Sequence, residues 1–301
     1  MATLEAPTHE NTMTPEKNKK GRRRGGRDDG RLRTPAWLYA VMVAGLFLVV
    51  IPFIWMVVSS VKPNAELRQV PPTLLPEGIT FSHYEALFTD LDFPQFFLNS
   101  AIVSLGTMVG NMIFCSMLGY ALAKLQFPGR RIMFALVVGT LMVPGVVTFV
   151  PLFVLTTNLG LTNTLPAMIL PFMAGPFGVF LMRQFILSIP DELIQAARVD
   201  GAGELRIFAR VVLPLCGPAL ATLGVLTFLS SWNNFLWPLV VATSEDKYTL
   251  PVALALYAVG QNATDYGLLI AGAVVVVLPV LAVFLVLQRH IMQGVASTGI
   301  K

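Results

Sequence analysis

The residues that could do chemistry in this chain are concentrated in one polar stretch, residues 188–214, set between two long apolar runs. Ser188 and Asp191 have the spacing of a helix capping box, with acidic residues near the positive end of the predicted short helix. A glycine allows a sharp turn after that helix, and small side chains allow another surface to come close. The chemistry indicated is docking rather than bond breaking. The predicted docking residues are Glu192, Gln195, Ala196, Ala197, Asp200, Gly201, Ala202, Leu213 and Pro214.

An amphipathic helix that rests on lipid is the alternative interpretation of this stretch. Leu193, Ala196, Ala197 and Asp200 recur at three- and four-residue spacing, which predicts that they share one side of the helix. That side is small and partly acidic, whereas a lipid-binding face is apolar and flanked by basic residues. The composition therefore favours a protein partner.

A second set of polar side chains lies at the end of the fifth apolar run, in residues 230–238. Trp232, Asn233 and Asn234 offer a stacking surface and amide hydrogen bonds, which suit a sugar-like solute. Asn99, at the start of the second run, is a weaker candidate of the same kind. We predict that these four residues line a solute pathway. The alternative is an aromatic belt with amides at the membrane interface.

Several kinds of chemistry are excluded by what the apolar runs lack. No Asp, Glu, Lys, Arg or His lies in the middle of a run, which argues against a proton pump or a voltage sensor. The chain has no G-x-x-x-x-G-K-[ST] phosphate loop, so a nucleotide that drives transport must bind to another subunit. Cys115 and Cys216 lie in apolar runs, as small buried side chains do. No catalytic residue, metal site or bound cofactor is predicted, and the chain is not predicted to be an enzyme.

The elements that must position these residues are membrane-spanning helices. The chain has 301 residues, of which 55% are hydrophobic and 13% charged, whereas a soluble domain has about 25% charged residues. A bilayer core needs about 20 apolar residues per helix, and six stretches qualify. The predicted fold class is therefore all-α integral membrane with six transmembrane helices. The predicted spans are 36–58, 98–122, 132–156, 166–187, 215–241 and 264–288.

The basic residues predict the orientation of these spans. Eighteen of the 21 Lys and Arg residues lie in the N-terminal tail or in segments on its side of the membrane. This asymmetry places both termini in the cytoplasm. The tail, residues 1–34, is basic, rich in glycine and poor in aromatic residues, which predicts disorder. It could touch anionic lipid or nucleic acid, but a solvated tail is favoured and no nucleic-acid partner is predicted; residues 35–301 form the six-span domain.

Proline and small residues within the spans predict bends and close helix contacts. Five of the six spans contain proline, which can kink a helix. Gly106 with Gly110, and Gly267 with Ala271, have the spacing that lets two helices approach closely. The partner helix could belong to the same chain or to another one.

Residues 188–214 resemble the EAA loop of bacterial ABC importer permeases, in which E-A-A is followed by a glycine and by a Leu-Pro ending. Gln195 stands where the pattern has glutamate, which keeps the side-chain length and drops the charge. The loop positions that match are Ala196, Ala197, Gly201, Val211, Leu213 and Pro214. Outside the loop the chain is similar to the six-span permeases of carbohydrate importers of the maltose-permease type, over roughly residues 36–296. The matching stretches are SVKP at 60–63, FLNS at 97–100, GYAL at 119–122, FPGR at 127–130, WNNF at 232–235 and QRH at 288–290.

This resemblance implies the type I ABC importer permease fold and a division of labour between subunits. The chain would pair with a second, homologous permease subunit in the bacterial cell membrane, surrounded by membrane lipid. Two ATP-binding subunits would each receive an EAA-type helix and would bind ATP and Mg²⁺, and an extracytoplasmic solute-binding protein would deliver a carbohydrate or related polyol. The spans would then alternate between inward- and outward-facing states.

Two other classes of protein remain as alternatives. A secondary transporter, or a permease for another small solute, would work without ATPase subunits and leaves the structured loop unexplained. A membrane enzyme would need paired carboxylates, a histidine cluster or a nucleophile with a base near the bilayer, and the sequence contains none of these patterns.

Overall fold

The computed structural model describes residues 36–89, 91–258 and 265–298. The described part is helical and contains no strand. The predicted basic tail, residues 1–34, lies outside the described residues. The chain divides into two units, Met1–Val49 and Val50–Lys301. Among the described residues, the first unit contains the N-terminal part of one apolar helix, and all packing described below belongs to the second unit.

Fifteen α-helices follow one another along the described segments, joined by short turns and three stretches of tighter or wider helix. The α-helices are α1 Ala36–Ser59, α2 Asn64–Leu67, α3 Ser82–Thr89, α4 Phe93–Lys124, α5 Arg130–Leu141, α6 Gly145–Asn158, α7 Leu165–Ile169, α8 Pro176–Leu187, α9 Asp191–Val199, α10 Glu204–Ile207, α11 Leu213–Leu215, α12 Gly217–Trp232, α13 Leu236–Val241, α14 Leu250–Ala258 and α15 Tyr266–Thr298. Two 3₁₀ turns, Leu170–Phe172 and Glu245–Lys247, and a π-helical turn, Phe208–Val212, complete them.

Three of the predicted spans are continuous helices and three are broken. Helices α1 and α4, and residues 266–286 of α15, are each long and apolar enough to cross a membrane. The other three spans are bent pairs, with angles of 104° between α5 and α6, 43° between residues 165–172 and α8, and 81° between residues 204–215 and α12. Counting each bent pair as one span gives six, which agrees with the predicted number. The predicted span over residues 132–156 consists of two helices, α5 and α6, that meet at a bend, as the prolines within it predicted.

Proline explains some of these breaks, but not every proline in the spans causes a break. Pro144 is the N-terminal cap of α6 and lies at the sharpest bend, where the missing backbone donor ends the preceding helix. Pro176 and Pro218 instead begin α8 and α12, a position that tolerates a missing donor. Pro52 and Pro279 lie inside helices that continue through them. Position within the helix therefore decides what each proline does.

The long helix α4 is the centre of the packing. Its last two turns, with α8 and the start of α12, enclose an apolar cluster that we call the inner core. Its first turns pack with α3, α12, α14 and α15 around a second apolar cluster, the outer core. The inner core contains Leu122, Met182, Ile186, Ile194, Ile207, Val212 and Leu223. The outer core contains Leu87, Phe96, Phe228, Trp232, Leu250 and Ala271.

The glycine pairs predicted to allow close contact do so within this chain. A side chain on Gly106 would meet Ile169, and one on Gly110 would overlap Met173, both in the segment that pairs with α8. A β-carbon on Gly267 would overlap the ring of His83. The two motifs therefore position elements of the same subunit, which the sequence left open.

Candidate coupling loop and solute cavity

The predicted docking helix exists as α9, Asp191–Val199, but the predicted capping box does not form. The helix has Pro190 at its cap position, and no side chain caps it. The hydroxyl of Ser188 instead donates to the carbonyl of Phe185 at 2.7 Å, because it serves the end of α8 rather than the start of α9. Asp191 and Glu192 do lie in the first turn, where the helix dipole favours negative charge.

Helix α9 packs one side onto the body of the subunit and leaves the other side exposed. Ile194 is 2% exposed and belongs to the inner core, and Ala197 is half-buried against the same cluster. Burial of an isoleucine side chain stabilises the fold by about 1.5–3 kcal/mol. Ala197 lies at the edge of the side that it shares with Leu193, Ala196 and Asp200, where α9 meets the inner core. The exposed side consists of Glu192, Leu193, Gln195, Ala196, Val199 and Asp200.

Gly201 ends α9 in a Schellman motif, which the sequence predicted only as a sharp turn. The backbone φ of Gly201 is +80°, in the left-handed region that favours glycine. The amide of Ala202 donates to the carbonyl of Ala197, and the amide of Gly201 donates to that of Arg198, both at 3.0 Å. These two bonds satisfy carbonyls that the helix end leaves free and set the direction of the chain into α10.

One ion pair and one hydrogen bond connect the loop to α4. Lys124 donates from Nζ to Oδ1 of Asp191 and to the carbonyl of Ile189, both at 2.6 Å. Glu204 accepts from Nε of Arg198 at 2.7 Å and from the hydroxyl of Tyr120 at 2.6 Å. Both contacts reach the last two turns of α4, so a displacement of the loop acts directly on that helix.

The end of the predicted docking stretch joins the loop to α12 instead of extending the exposed side of α9. Phe208 and Val212, in the π-helical turn, are buried in the inner core. Leu213 is half-buried against it, and Pro214 is exposed in α11. Leu213 therefore packs partly inward, and a docking role for Leu213 and Pro214 stays a prediction.

The paired carboxylates of the loop lead to a prediction on pH. The guanidinium of Arg198, followed by the hydroxyl of Tyr120, lowers the pKa of Glu204, and Lys124 lowers the pKa of Asp191. A lowered pKa gives stability that is complete above the ordinary values of 4.5 and 3.8 and is lost as pH falls through the folded values. We expect hydrogen exchange of the Gly201 and Ala202 amides, corrected for its intrinsic pH dependence, to keep its protection down to about pH 5. Loss of protection between neutral pH and about pH 5 would contradict a role of the paired Asp191 and Glu204 carboxylates in holding the loop.

A cavity of about 500 Å³ lies between α4, the break before α8, and α12. None of the described residues that line it is charged. Its polar lining comes from α4, at a four-residue spacing, and from α12 with the turn after it, at three- and four-residue spacings. The polar lining residues are Thr107, Asn111, Thr227, Ser230, Ser231 and Asn234.

Only one of the four predicted pathway residues reaches this cavity, and that residue is Asn234. Trp232 is 2% exposed and donates from Nε1 to the carbonyl of Val276 at 3.0 Å, which places it in the outer core. Asn99 is 1% exposed. Its amide donates to the carbonyls of Asp246 and Tyr248, both at 2.9 Å.

The prediction that Asn99 and Trp232 line a pathway is therefore corrected. Both are buried side chains whose donors hold other parts of the chain. Asn233 is exposed at the end of α12, and its amide donates back to the carbonyl of Leu229 at 3.0 Å.

Thr107 and Asn111 line the cavity from the middle of α4 and were not predicted. Asn111 donates to the carbonyl of Phe172 at 3.0 Å, which fixes the break before α8. Thr107 Oγ1 is buried and has no hydrogen-bond partner among the described residues. The sequence did contain a signal, because a threonine and an asparagine four residues apart in an apolar span share one helix face.

Apolar helices of membrane-spanning length, an uncharged cavity with six polar side chains in its lining, and a helical loop packed at one end of the helices are the features of an integral membrane protein of the permease type. The family described as "Binding-protein-dependent transport system inner membrane component" matches residues 115–297. The chain belongs to that family and is a membrane-embedded permease subunit of an ABC importer.

Relatives and solved structures agree with this assignment. The chain is 40% identical over 272 residues to the arabinooligosaccharides transport system permease protein AraQ of Halalkalibacterium halodurans, covering 88% of this chain and 96% of the relative. It is 37% identical over 268 residues to the diacetylchitobiose uptake system permease protein NgcG of Streptomyces coelicolor, covering 88% of each. A chain of a bacterial ABC transporter that imports the acidic polysaccharide alginate superposes with a TM-score of 0.75 at 28% identity, covering 84% of this chain and 95% of that one.

Proposed function

We propose that this subunit conducts a carbohydrate, or a related polyol, into the cell through the cavity between α4, α8 and α12. The observation that carries the proposal is the polar part of the lining, six hydroxyl and amide side chains that face the cavity among apolar ones, with no charged side chain. Sugar hydroxyls both donate and accept hydrogen bonds, as these side chains do. The similarity to permeases of arabinooligosaccharide and diacetylchitobiose uptake systems supports the same class of solute.

The energy for transport comes, in this proposal, from other subunits. A second, homologous permease subunit completes the pathway, and two ATP-binding subunits bind ATP with Mg²⁺ and hydrolyse it. This chain contributes no catalytic residue. The exposed side of α9, including Glu192, Gln195, Ala196 and Asp200, docks on one ATP-binding subunit, and Gly201 with Ala202 fixes its direction. A solute-binding protein outside the membrane delivers the carbohydrate.

Helix α4 links the docking loop to the cavity in this mechanism. Lys124 and Tyr120 hold the loop at one end of α4, and Asn111 lines the cavity 13 residues before Lys124, a distance of about 20 Å along the helix. A shift of α9 therefore moves a helix that contacts the solute. ATP and the solute-loaded binding protein shift the transporter between its inward- and outward-facing states, because each binds the two states with different affinity.

Removal of two cavity hydroxyls tests the pathway. We expect Thr227→Val with Ser231→Ala to lower carbohydrate uptake by roughly tenfold, since each lost hydrogen bond costs about 0.5–1.5 kcal/mol. Uptake of labelled oligosaccharide is measured in cells with matched membrane abundance of the subunit. Thr222→Val is the control, because its hydroxyl donates to Pro218 within α12 and lies outside the cavity lining.

The outcomes separate the parts of the proposal. Normal uptake by the double variant would show that this cavity is not the pathway. Carbohydrate uptake that is unchanged when the whole subunit is deleted would show that the solute belongs to another class.

A further inference from the structure

A buried group of charges lies at the end of the molecule opposite the docking loop. Lys62 and Glu66 are 2% and 6% exposed, with 3.5 Å between Nζ and Oε1. Lys62 also donates to the carbonyl of Thr73 at 2.6 Å and to its hydroxyl at 3.0 Å, and that hydroxyl donates to Glu66. A buried charge is costly unless it is paired and hydrogen-bonded, and here each one is.

Hydrogen bonds beside these charges connect the segment after α1 to α3 and to the start of α15. The ring of His83 lies 2.8 Å from the carbonyl of Lys62, and Asn64 accepts from the amide of Gly267 at 3.1 Å. The Nζ of Lys62 is 5.0 Å from the ring of Trp55, one turn before α1 ends. Because α1 ends and α15 begins a membrane span here, the charges mark the outer surface of the bilayer.

Residues 69–81, which we call the outer spur, cross this group of charges with their apolar side chains turned away from it. Glu77 is the only charged residue among them. Most of the surface of these apolar side chains is exposed. The exposed fractions are Val70 94%, Leu74 77%, Leu75 77%, Ile79 70% and Phe81 66%.

Part of the backbone of the outer spur is hydrogen-bonded or has no donor. Three of its residues, at positions 71, 72 and 76, are prolines and have no amide hydrogen. The amide of Glu77 donates to Glu66 at 3.1 Å, and that of Thr80 donates to the carbonyl of Val61 at 2.8 Å. Irregular backbone enters an apolar environment only where its polar groups are satisfied. These bonds cover only part of the outer spur, so its backbone belongs at the level of the headgroups, where water is present, and only its side chains can reach the acyl chains.

We propose that the outer spur inserts its apolar side chains into the boundary between headgroups and acyl chains of the outer leaflet. Three observations favour lipid as the occupant. The apolar surface continues directly from a membrane-spanning helix, its charges are paired beneath it, and its one remaining acidic residue offers no pattern for a protein partner to recognise. The outer spur thereby fixes the level of α1 and α15 in the bilayer. This role is independent of which solute the subunit transports.

Nitroxide labels on the assembled transporter in lipid nanodiscs test the proposal. Leu75→Cys and Leu74→Cys are labelled, and Glu77→Cys is the matched control in the same segment. The native Cys115 and Cys216 are 0% exposed and stay in place. Collision rates are measured with oxygen, which concentrates in lipid, and with a water-soluble nickel complex.

The proposal expects labels at positions 74 and 75 to collide with oxygen several-fold more often, relative to the nickel complex, than the label at position 77. A preference for the nickel complex at all three positions would overturn it and indicate a spur in water. Low rates with both reagents at positions 74 and 75 would also overturn it, since a protein partner would then cover the surface. Function of the transporter is the control for correct assembly in each case.

Discussion

Gly201→Val is expected to lower ATP-driven uptake by about tenfold, because a side chain in the left-handed region costs about 1–2 kcal/mol and a β-branched residue is the least tolerated there. A β-carbon at this position would meet no atom within 4 Å, so the cost is backbone strain rather than a clash. The strained chain leaves the Schellman turn, and α9 loses the direction in which it meets its partner. Uptake and ATPase activity are measured on the assembled transporter at equal abundance.

Two further substitutions at position 201 separate strain from charge. Asparagine and aspartate both tolerate the left-handed region better than other residues with a β-carbon. We expect Gly201→Asn to keep most of the uptake and Gly201→Asp to lose more, because a carboxylate would be added beside Asp200 on the exposed side of α9. Equal activity of the valine and asparagine variants would show that the turn does not control coupling.

Gly119→Ala is expected to destabilise the subunit by about 1–3 kcal/mol, the usual cost of overpacking a core. Its β-carbon would lie 2.9 Å from the backbone nitrogen of Arg183 and 2.9 Å from Cβ of Met182, so α4 and α8 would have to move apart. These two helices flank both the inner core and the cavity. The measurement is the thermal unfolding midpoint of the purified transporter in detergent.

The control for this prediction is Gly139→Ala in α5, where a β-carbon would meet nothing within 4 Å. There the helix propensity of alanine should leave the midpoint unchanged or raise it slightly. A similar midpoint for the two variants would contradict the close packing of α4 on α8.

The fold was largely predictable because the bilayer imposes helices of a given length on apolar sequence. Hydropathy located all six spans. It did not distinguish Pro144, which ends a helix, from Pro52 and Pro279, which lie within continuous ones. That difference depends on which neighbouring residues accept or replace the missing hydrogen bond, and these are distant in sequence.

The candidate site was predictable where local backbone geometry decides the outcome. Gly201 is such a position, since its turn is made by residues 197–202 alone. Asn99 and Trp232 failed as pathway residues because their hydrogen-bond partners, Asp246, Tyr248 and Val276, lie 44 to 149 residues away. Polar residues in a span either line a pathway or hold another segment, and only tertiary packing separates the two.

The central claim, that this subunit works as the permease of an ATP-driven importer, is tested most directly by purification of the tagged chain from its native membrane. The account predicts that an ATP-binding subunit and a second six-span permease co-purify with it. It also predicts that the ATPase activity of the purified assembly rises when a binding protein loaded with carbohydrate is added. Recovery of the chain alone, active in solute uptake when reconstituted without ATP, would contradict the account and indicate a secondary carrier.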